Sequence, residues 1–207
     1  MPRGPFIVFS GGEGSGKSSV LKLLKEEFPR IMTTREPGGT PFGEALRAPL
    51  LDPTFAPNPW AELFLFMSIR AQHVTELINP ALTAGQVVVC DRYLEDSYAY
   101  QWAGKIGVHD PAQLWAMAKQ AGFPVPDVWL WFDVEPALGL RRRRGTNETN
   151  RLDHESLAFH DAVREGFARL MTIDPYNRIG RRIDSAGSLN SVYEQVKREL
   201  GHFLTGG

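Results

Sequence analysis

The chain has a single cysteine, Cys90, so an intramolecular disulfide is excluded, and with it a disulfide-stapled scaffold. It has no apolar run near the ~20 residues that cross a bilayer as a helix. Its opening stretch, MPRGPFIVFSGG, carries too short an apolar segment for a secretory signal. An excess of one charge is also missing: 23 Lys and Arg stand against 24 Asp and Glu, a formal net charge of -1. That balance argues against attachment to duplex DNA or an anionic membrane by bulk charge, while leaving room for a local basic pocket. Repeats, low-complexity tracts and linkers are absent as well. With 207 residues, 43% of them hydrophobic, the chain is long enough for a substantial core. These features predict one domain over residues 1–207, a cytoplasmic location, and neither nucleic acid nor membrane as partner.

What is present is an alternation of short apolar runs and helical spacing. Strands are expected at Phe6–Phe9, Ile31–Thr34, Gln86–Cys90, Val128–Val134 and Arg178–Ile183. Between them, helical patterns follow Lys17, span Trp60–Leu82 and Pro111–Gln120, run into Arg141–Arg144, and resume over Asp153–Met171 and Leu189–Leu200. Glu36–Pro41, EPGGTP, reads as a loop. Strands alternating with helices imply an α/β fold, a parallel sheet with helices on both faces.

The strongest local signal is Gly11-Gly12-Glu13-Gly14-Ser15-Gly16-Lys17-Ser18, which fits GxxxxGK[ST] between an expected strand and an expected helix. Glycines let the backbone curl until several N–H groups converge on phosphate oxygens, and the helix N-terminus adds partial positive charge. Lys17 can reach the outer phosphates and the Ser18 hydroxyl can ligate magnesium. The alternative is a chance glycine-rich turn. A regulatory GTPase is disfavoured because no Asn-Lys-x-Asp run exists. Asp184-Ser185-Ala186-Gly187 matches DxxG, but its place near the C-terminus reads as a turn after a strand. A large ATPase motor normally needs more chain.

Several arginines resist a bland reading. Arg70 lies on the apolar stripe Leu63, Phe66, Met67, Val74, Leu77 and Ile78. An inward guanidinium is costly unless something polar meets it. That partner is a carboxylate such as Glu62 or Glu36, water at the end of a buried stem, or a ligand. Arg35-Glu36 and Asp91-Arg92 each follow an expected strand, where α/β sheets bind ligands. Lys17, Arg35 and Arg92 therefore converge on one mouth, each near a carboxylate, which suggests two phosphorylated ligands. Arg141–Arg144 are either cations favoured by a helix C-terminus or, with the polar Gly145–Asn150 and Arg151 beyond, part of a mobile lid acting on a phosphoryl group.

Other candidates are weaker. Cys90 follows three valines and reads as a buried strand residue. His154 and His160 do not fit a metal pair and read as surface histidines. Trp129 and Trp131 read as packing against helices, and no Ser/His/Asp arrangement supports acyl transfer.

Five segments together resemble the bacterial thymidylate kinase family of P-loop nucleoside monophosphate kinases, over nearly the whole chain. They are FSGGEGSGKSS at Phe9–Ser19, TREPGGTPFGEALR at Thr34–Arg47, ELFLFMSIRAQH at Glu62–His73, CDRYLEDSYAYQ at Cys90–Gln101 and PDVWLWFDVEP at Pro126–Pro136. The resemblance implies a P-loop NTPase three-layer fold, a five-stranded parallel sheet flanked by helices, with a mobile lid at about residues 141–152. It implies transfer of the γ-phosphoryl group of ATP to dTMP, giving dTDP and ADP in dTTP synthesis, with Mg2+, in a homodimer. ATP would be bound by Gly11, Gly12, Glu13, Gly14, Ser15, Gly16, Lys17, Ser18 and Ser19. Phe66 would stack on thymine and Arg70 would bond its carbonyl. Arg35 and Arg92 would hold the monophosphate, and Ser97, Tyr100 and Gln101 would line the base and sugar pocket. Ser18, Asp91 and Glu36 would lie at the metal. The phosphate loop carries Glu13 rather than an arginine, so Arg142, Arg144 and Arg151 are the candidates for transition-state contact beside Lys17. Ser10, Ile69, Asp96 and Trp102 depart from the family's usual residues and bear on pocket shape rather than on reaction type. The alternatives are a related kinase for another deoxynucleotide or nucleoside, and a nucleotide-binding regulatory module without turnover.

Overall fold

A computed structural model describes residues 3–145 and 151–204. The middle of the expected lid, residues 146–150, lies outside the described residues. In chain order the elements are β1 (Phe6–Gly11), α1 (Lys17–Glu27), β2 (Met32–Arg35), α2 (Pro41–Leu51), α3 (Pro59–His73), a π-helical turn at Val74–Ile78 and α4 (Asn79–Thr83). There follow β3 (Val88–Asp91), α5 (Leu94–Ser97), a second π turn at Tyr98–Ala103, α6 (Ala112–Gln120), β4 (Val128–Asp133) and α7 (Pro136–Arg144). A 3-10 turn at Arg151–His154, α8 (Leu157–Leu170), α9 (Tyr176–Ile179), β5 (Gly180–Asp184) and α10 (Leu189–Leu204) complete the order.

The five strands form one sheet in the order β2-β3-β1-β4-β5, every pair parallel. All six residues of β1 and all six of β4 are buried, as strands covered on both faces must be. Side chains alternate between the two layers. Phe6 and Val8 join one core with Leu63, Tyr98, Trp129 and Phe167, while Ile7 and Phe9 join the other with Val20, Leu24, Val196 and Leu200. Each fully buried Phe or Leu contributes about 1.5–3 kcal/mol, so this alternation fixes the register. Cys90 is one of these core residues and is fully buried. Trp129 and Trp131 pack against Phe167 as expected.

The structure departs from the sequence expectations in several places; the strand expected from Arg178 starts at Gly180, after α9, and three further differences concern helices and a histidine. The loop after Arg35 leads straight into α2, whose start is fixed by Thr40 accepting a bond from the Gly43 amide at 3.0 Å and by Pro41 at the first position. The helix expected from Asp153 begins at Leu157, capped by Ser156 accepting from the Phe159 amide at 3.2 Å. His160 is not a surface residue: it is buried on the inward stripe of α8 with Val163, Phe167 and Leu170, whereas His154 is exposed. That three-four-three spacing is the signal that marks it as inward.

Candidate active site

Strand order reverses at β1, and the cleft beyond the carboxyl ends of β1, β2 and β3 is where such sheets bind ligands. A cavity of about 550 Å³ opens there. Its wall carries seven basic side chains (Lys17, Arg35, Arg47, Arg70, Arg92, Arg142, Arg143) against four acidic ones (Glu13, Glu36, Asp91, Asp96). A surplus of cations in a concave site attracts anions.

The phosphate loop follows β1. Gly14 and Gly16 have φ of 66° and 85°, a left-handed backbone that glycine adopts without strain. A Cβ on Gly14 would lie 1.9 Å from the Gly139 carbonyl oxygen of α7, so the loop and that helix touch through two glycines. Among the described residues α1 has no side-chain cap and no acidic residue in its first turn, which leaves its amides free for an anion. Lys17 folds onto the loop and donates to the carbonyls of Gly11 at 2.9 Å and Gly12 at 3.1 Å and to the Ser15 hydroxyl at 3.1 Å. Burial, helped by the charge of Arg92, pulls its ammonium down to about 8. Ser18 donates to Asp91 Oδ2 at 2.9 Å, and Asp91 Oδ1 is buried without a hydrogen-bond partner among the described residues.

Across the cleft, Arg70 is 1% exposed and its Nε donates to Glu36 Oε2 at 2.7 Å. Its Nη2 donates to the Tyr93 carbonyl at 2.9 Å and to Ser97 Oγ at 3.0 Å. Glu36 Oε1 faces His73 Nδ1 at 3.0 Å, and the opposite ring nitrogen meets Thr34 Oγ1 at 2.7 Å. Both oxygens of Glu36 are thus engaged. Of the sequence alternatives for Arg70, the ion pair with Glu36 is realised while the residue also lines the cavity.

Arg92 has φ of 72°, uncommon outside glycine and costing on the order of 1–2 kcal/mol. Its guanidinium donates to Asp96 Oδ1 and to Glu13 Oε1, both at 2.7 Å. Asp96 is held in turn by the Ser10 hydroxyl at 2.6 Å, so two of the residues that depart from the family pattern bond to each other. Tyr100 also donates to Glu13 Oε1, at 3.2 Å. Burial pushes the Glu13 carboxyl up, but Arg92, Lys17 and Arg143 outweigh it and hold it below its ordinary value.

The expected site residues separate into two groups. Glu13 to Ser19, Arg35, Glu36, Phe66, Arg70, Asp91, Arg92, Ser97, Tyr100, Gln101 and Arg142 line the cavity. Gly11, Gly12, Arg144 and Arg151 do not: Gly11 is the last residue of β1 and Gly12 follows it, Arg144 is exposed, and Arg151 faces Glu62 at 2.9 Å. Arg35 pairs with Glu44 at 3.0 Å. Arg142 donates to the carbonyls of Ser185 at 2.6 Å, Ala186 at 2.7 Å and Gly187 at 3.1 Å, which joins α7 to the turn after β5.

The whole chain compares closely with proteins of one kind. A family model for thymidylate kinase matches residues 9–196. The thymidylate kinase of Halalkalibacterium halodurans is 39% identical over 213 residues, covering 99% of this chain and all of the relative. That of Enterococcus faecalis is 42% identical and covers 96% of each chain. The crystal structure of thymidylate kinase from Ehrlichia chaffeensis superposes with a TM-score of 0.77 at 26% identity, covering 96% of this chain and all of that one. The chain belongs to the thymidylate kinase family. It is a kinase with the family's P-loop NTPase fold, and its reaction is phosphoryl transfer from ATP to dTMP, giving dTDP. Among the cavity residues that the sequence did not single out are Arg47, Leu51, Leu152, Leu189 and Val192; Arg143 was read only as one of four consecutive arginines, and Ser185 and Gly187 only as a turn. The rule that ligands lie beyond strand ends would have found Ser185 and Gly187 after β5. Nothing in local spacing marks Arg47, which reaches back to the Pro37 carbonyl at 2.5 Å.

Proposed function

We propose that the cavity is a single catalytic site in which dTMP and ATP meet through their phosphates, within one domain that carries a lid at residues 141–152. One observation carries this reading: Lys17, Arg35 and Arg92, set at three neighbouring strand ends, face one cavity whose far wall is Phe66 and Arg70. Phe66 stacks on thymine, and Arg70, fixed at Nε and Nη2, offers Nη1 to a base carbonyl. Arg35 and Arg92 hold the acceptor phosphate, while Ser97, Tyr100 and Gln101 shape the base and sugar pocket. The loop amides from Gly11 to Ser19 cradle the ATP phosphates, and Lys17 leaves its carbonyls for them. The acceptor phosphate is already anionic, so positioning and charge neutralisation suffice without a general base. Arg142, Arg144 and Arg151 are the candidates for contact with the transferring group.

The donor set fits magnesium. Ser18 and Asp91 offer adjacent hard oxygens, and the unpartnered buried Oδ1 of Asp91 suits a cation or its water. They would hold the ion, with Glu36 a more distant neighbour behind Arg70. When bound, magnesium supplies neutralisation of the β- and γ-phosphate oxygens. Among the described residues no helix is long and apolar enough to cross a membrane. We place the enzyme in the cytoplasm as a homodimer; Trp60 and Phe64, 42% and 55% exposed on one side of α3, are the apolar surface a second copy would cover.

Isothermal titration of dTMP against the other monophosphates tests the acceptor assignment. dTMP is expected to bind at least about tenfold tighter than dUMP, dCMP, dGMP or dAMP, a difference of 1.4 kcal/mol. Equal affinity across the panel would remove Phe66 and Arg70 from base recognition.

A further inference from the structure

We infer that Glu62 is a positioning residue for phosphoryl transfer, tying the acceptor wall to Arg143 through the turn that carries Arg151 and Asp153. The inference rests on the site assignment above and goes beyond it.

Glu62 is fully buried in the first turn of α3. Its Oε1 accepts from Gln101 Nε2 at 2.8 Å. Its Oε2 meets two cations, Lys105 Nζ at 3.0 Å and Arg151 Nη2 at 2.9 Å. Lys105 continues to Glu155 Oε1 at 2.9 Å, and Arg151 Nε donates to the Leu50 carbonyl at 3.3 Å. Residues 151–155 are therefore fastened to one buried carboxylate twice, directly through Arg151 and through Lys105 and Glu155. The same turn carries Asp153, whose two oxygens accept from Arg143 Nε at 3.2 and 3.3 Å. Arg143 and Gln101 both line the cavity, and Arg143 lies close enough to the phosphate-loop residue Glu13 to help hold its carboxyl down. One short path, from Gln101 through Glu62 and Arg151 to Asp153 and Arg143, joins these two residues without passing through the cavity.

Packing gives no reason for a charge at this position. Neighbouring positions of α3 are already held by Leu63, Phe66 and Ile69, all buried. A desolvated carboxylate with its cations is commonly no better for stability than an apolar group of equal volume, and removing one partner leaves the others stranded. What the arrangement does supply is geometry. It fixes the height of the 3-10 turn against α3, and the turn fixes where Arg143 enters the cavity. Glu62 touches neither nucleotide and acts through the residues it holds.

The test is a double-mutant cycle on the intact enzyme. Glu62→Gln keeps shape and an acceptor for Gln101 but removes the charge that holds Arg151 and Lys105. It is expected to lower kcat about tenfold while leaving the dTMP dissociation constant within about threefold, as loss of an interaction that matters for the transfer step does. Asp153→Asn, which cuts the other end of the link, is expected to do the same. The double variant is expected to be no slower than the worse single variant, because both break one connection. Effects that multiply in the double variant would make the two residues independent and overturn the inference. So would an unchanged kcat with only dTMP affinity lost, which would make Glu62 part of the acceptor wall alone. If Glu62→Gln does not yield folded protein, Glu62→Asp, which keeps the charge but draws it back from Arg151 and Lys105, replaces it in the cycle with the same expectations. An unaltered, folded enzyme that fails to phosphorylate dTMP would overturn the reaction assignment itself, and the inference with it.

Discussion

On the acceptor side of the cavity, Arg70, Glu36 and Asp96 are buried and Arg92 is half-buried, and each charge meets a side-chain partner before any ligand arrives. On the donor side, Ser18 and Ser19 are exposed, the helix end is uncapped, and Lys17 rests on carbonyls of its own loop. The first arrangement is preorganised for a rigid planar base and makes recognition a property of the folded protein. The second exchanges weak backbone contacts for phosphates when they bind, which suits a site that must load one nucleotide and release another. The contrast also separates costs: the acceptor wall stores its desolvated charges in ion pairs, whereas the donor loop rests the buried Lys17 on carbonyls and leaves the helix end uncapped.

Breaking the donor side should affect rate more than stability. Lys17→Ala is expected to lower kcat by about 10²–10⁴ through lost charge stabilisation, with little loss of melting temperature, read by ADP release and by thermal denaturation. Lys17 in the free enzyme loses its proton near pH 8, below its ordinary 10.5. A free-enzyme group reports in kcat/KM, so kcat/KM for ATP should fall as pH rises above 8 while kcat holds further, because bound phosphates favour the charged form. A profile of kcat/KM flat to pH 9.5 would place the lysine outside phosphate binding.

Breaking the acceptor side should affect both. Arg70→Ala strands Glu36 and is expected to cost about 3 kcal/mol of stability, and to weaken dTMP binding far more than ATP binding in parallel titrations. Equal losses for both nucleotides would erase the contrast between the two ends.

The smallest effect sharpens the comparison of stored charge. Glu95 lies fully buried behind the acceptor wall beside Tyr176, and burial pushes its carboxyl up to about 7. A folded-state value above the unfolded one means that its contribution is fully present below about pH 4.5 and is lost as pH rises through 7. Urea denaturation at pH 5 and pH 8 should therefore show a larger drop for the native chain than for Glu95→Gln, by about 2 kcal/mol.

Much of this was legible in the sequence. The apolar runs at Phe6–Phe9 and Val128–Val134 declared buried strands, and GxxxxGK[ST] placed Lys17 and Ser18. The inward position of Arg70 followed from helical spacing alone, although the choice of partner did not: Glu62 lies on the same helix, whereas the realised partner, Glu36, is 34 residues away. Spacing could not give Arg143, because four consecutive arginines look alike until a helix axis and the Asp153 turn orient them. The 11-residue α2 stayed hidden because its sequence, PFGEALRAPLL, includes Gly43 and Pro49, poor formers whose effect is offset here by the Thr40 cap and contact with α3. His160 escaped for the opposite reason, a polar residue on an apolar stripe that was read by type and not by position.

The meeting of Gly14 and Gly139 carries one more consequence. A methyl group on Gly14 would come within 1.9 Å of the Gly139 carbonyl oxygen, so the nest that grips the donor and the rod bearing the arginines mesh like two gear teeth. Neither can turn without the other, so the act of gripping the donor also sets the angle at which the arginine-bearing rod is presented.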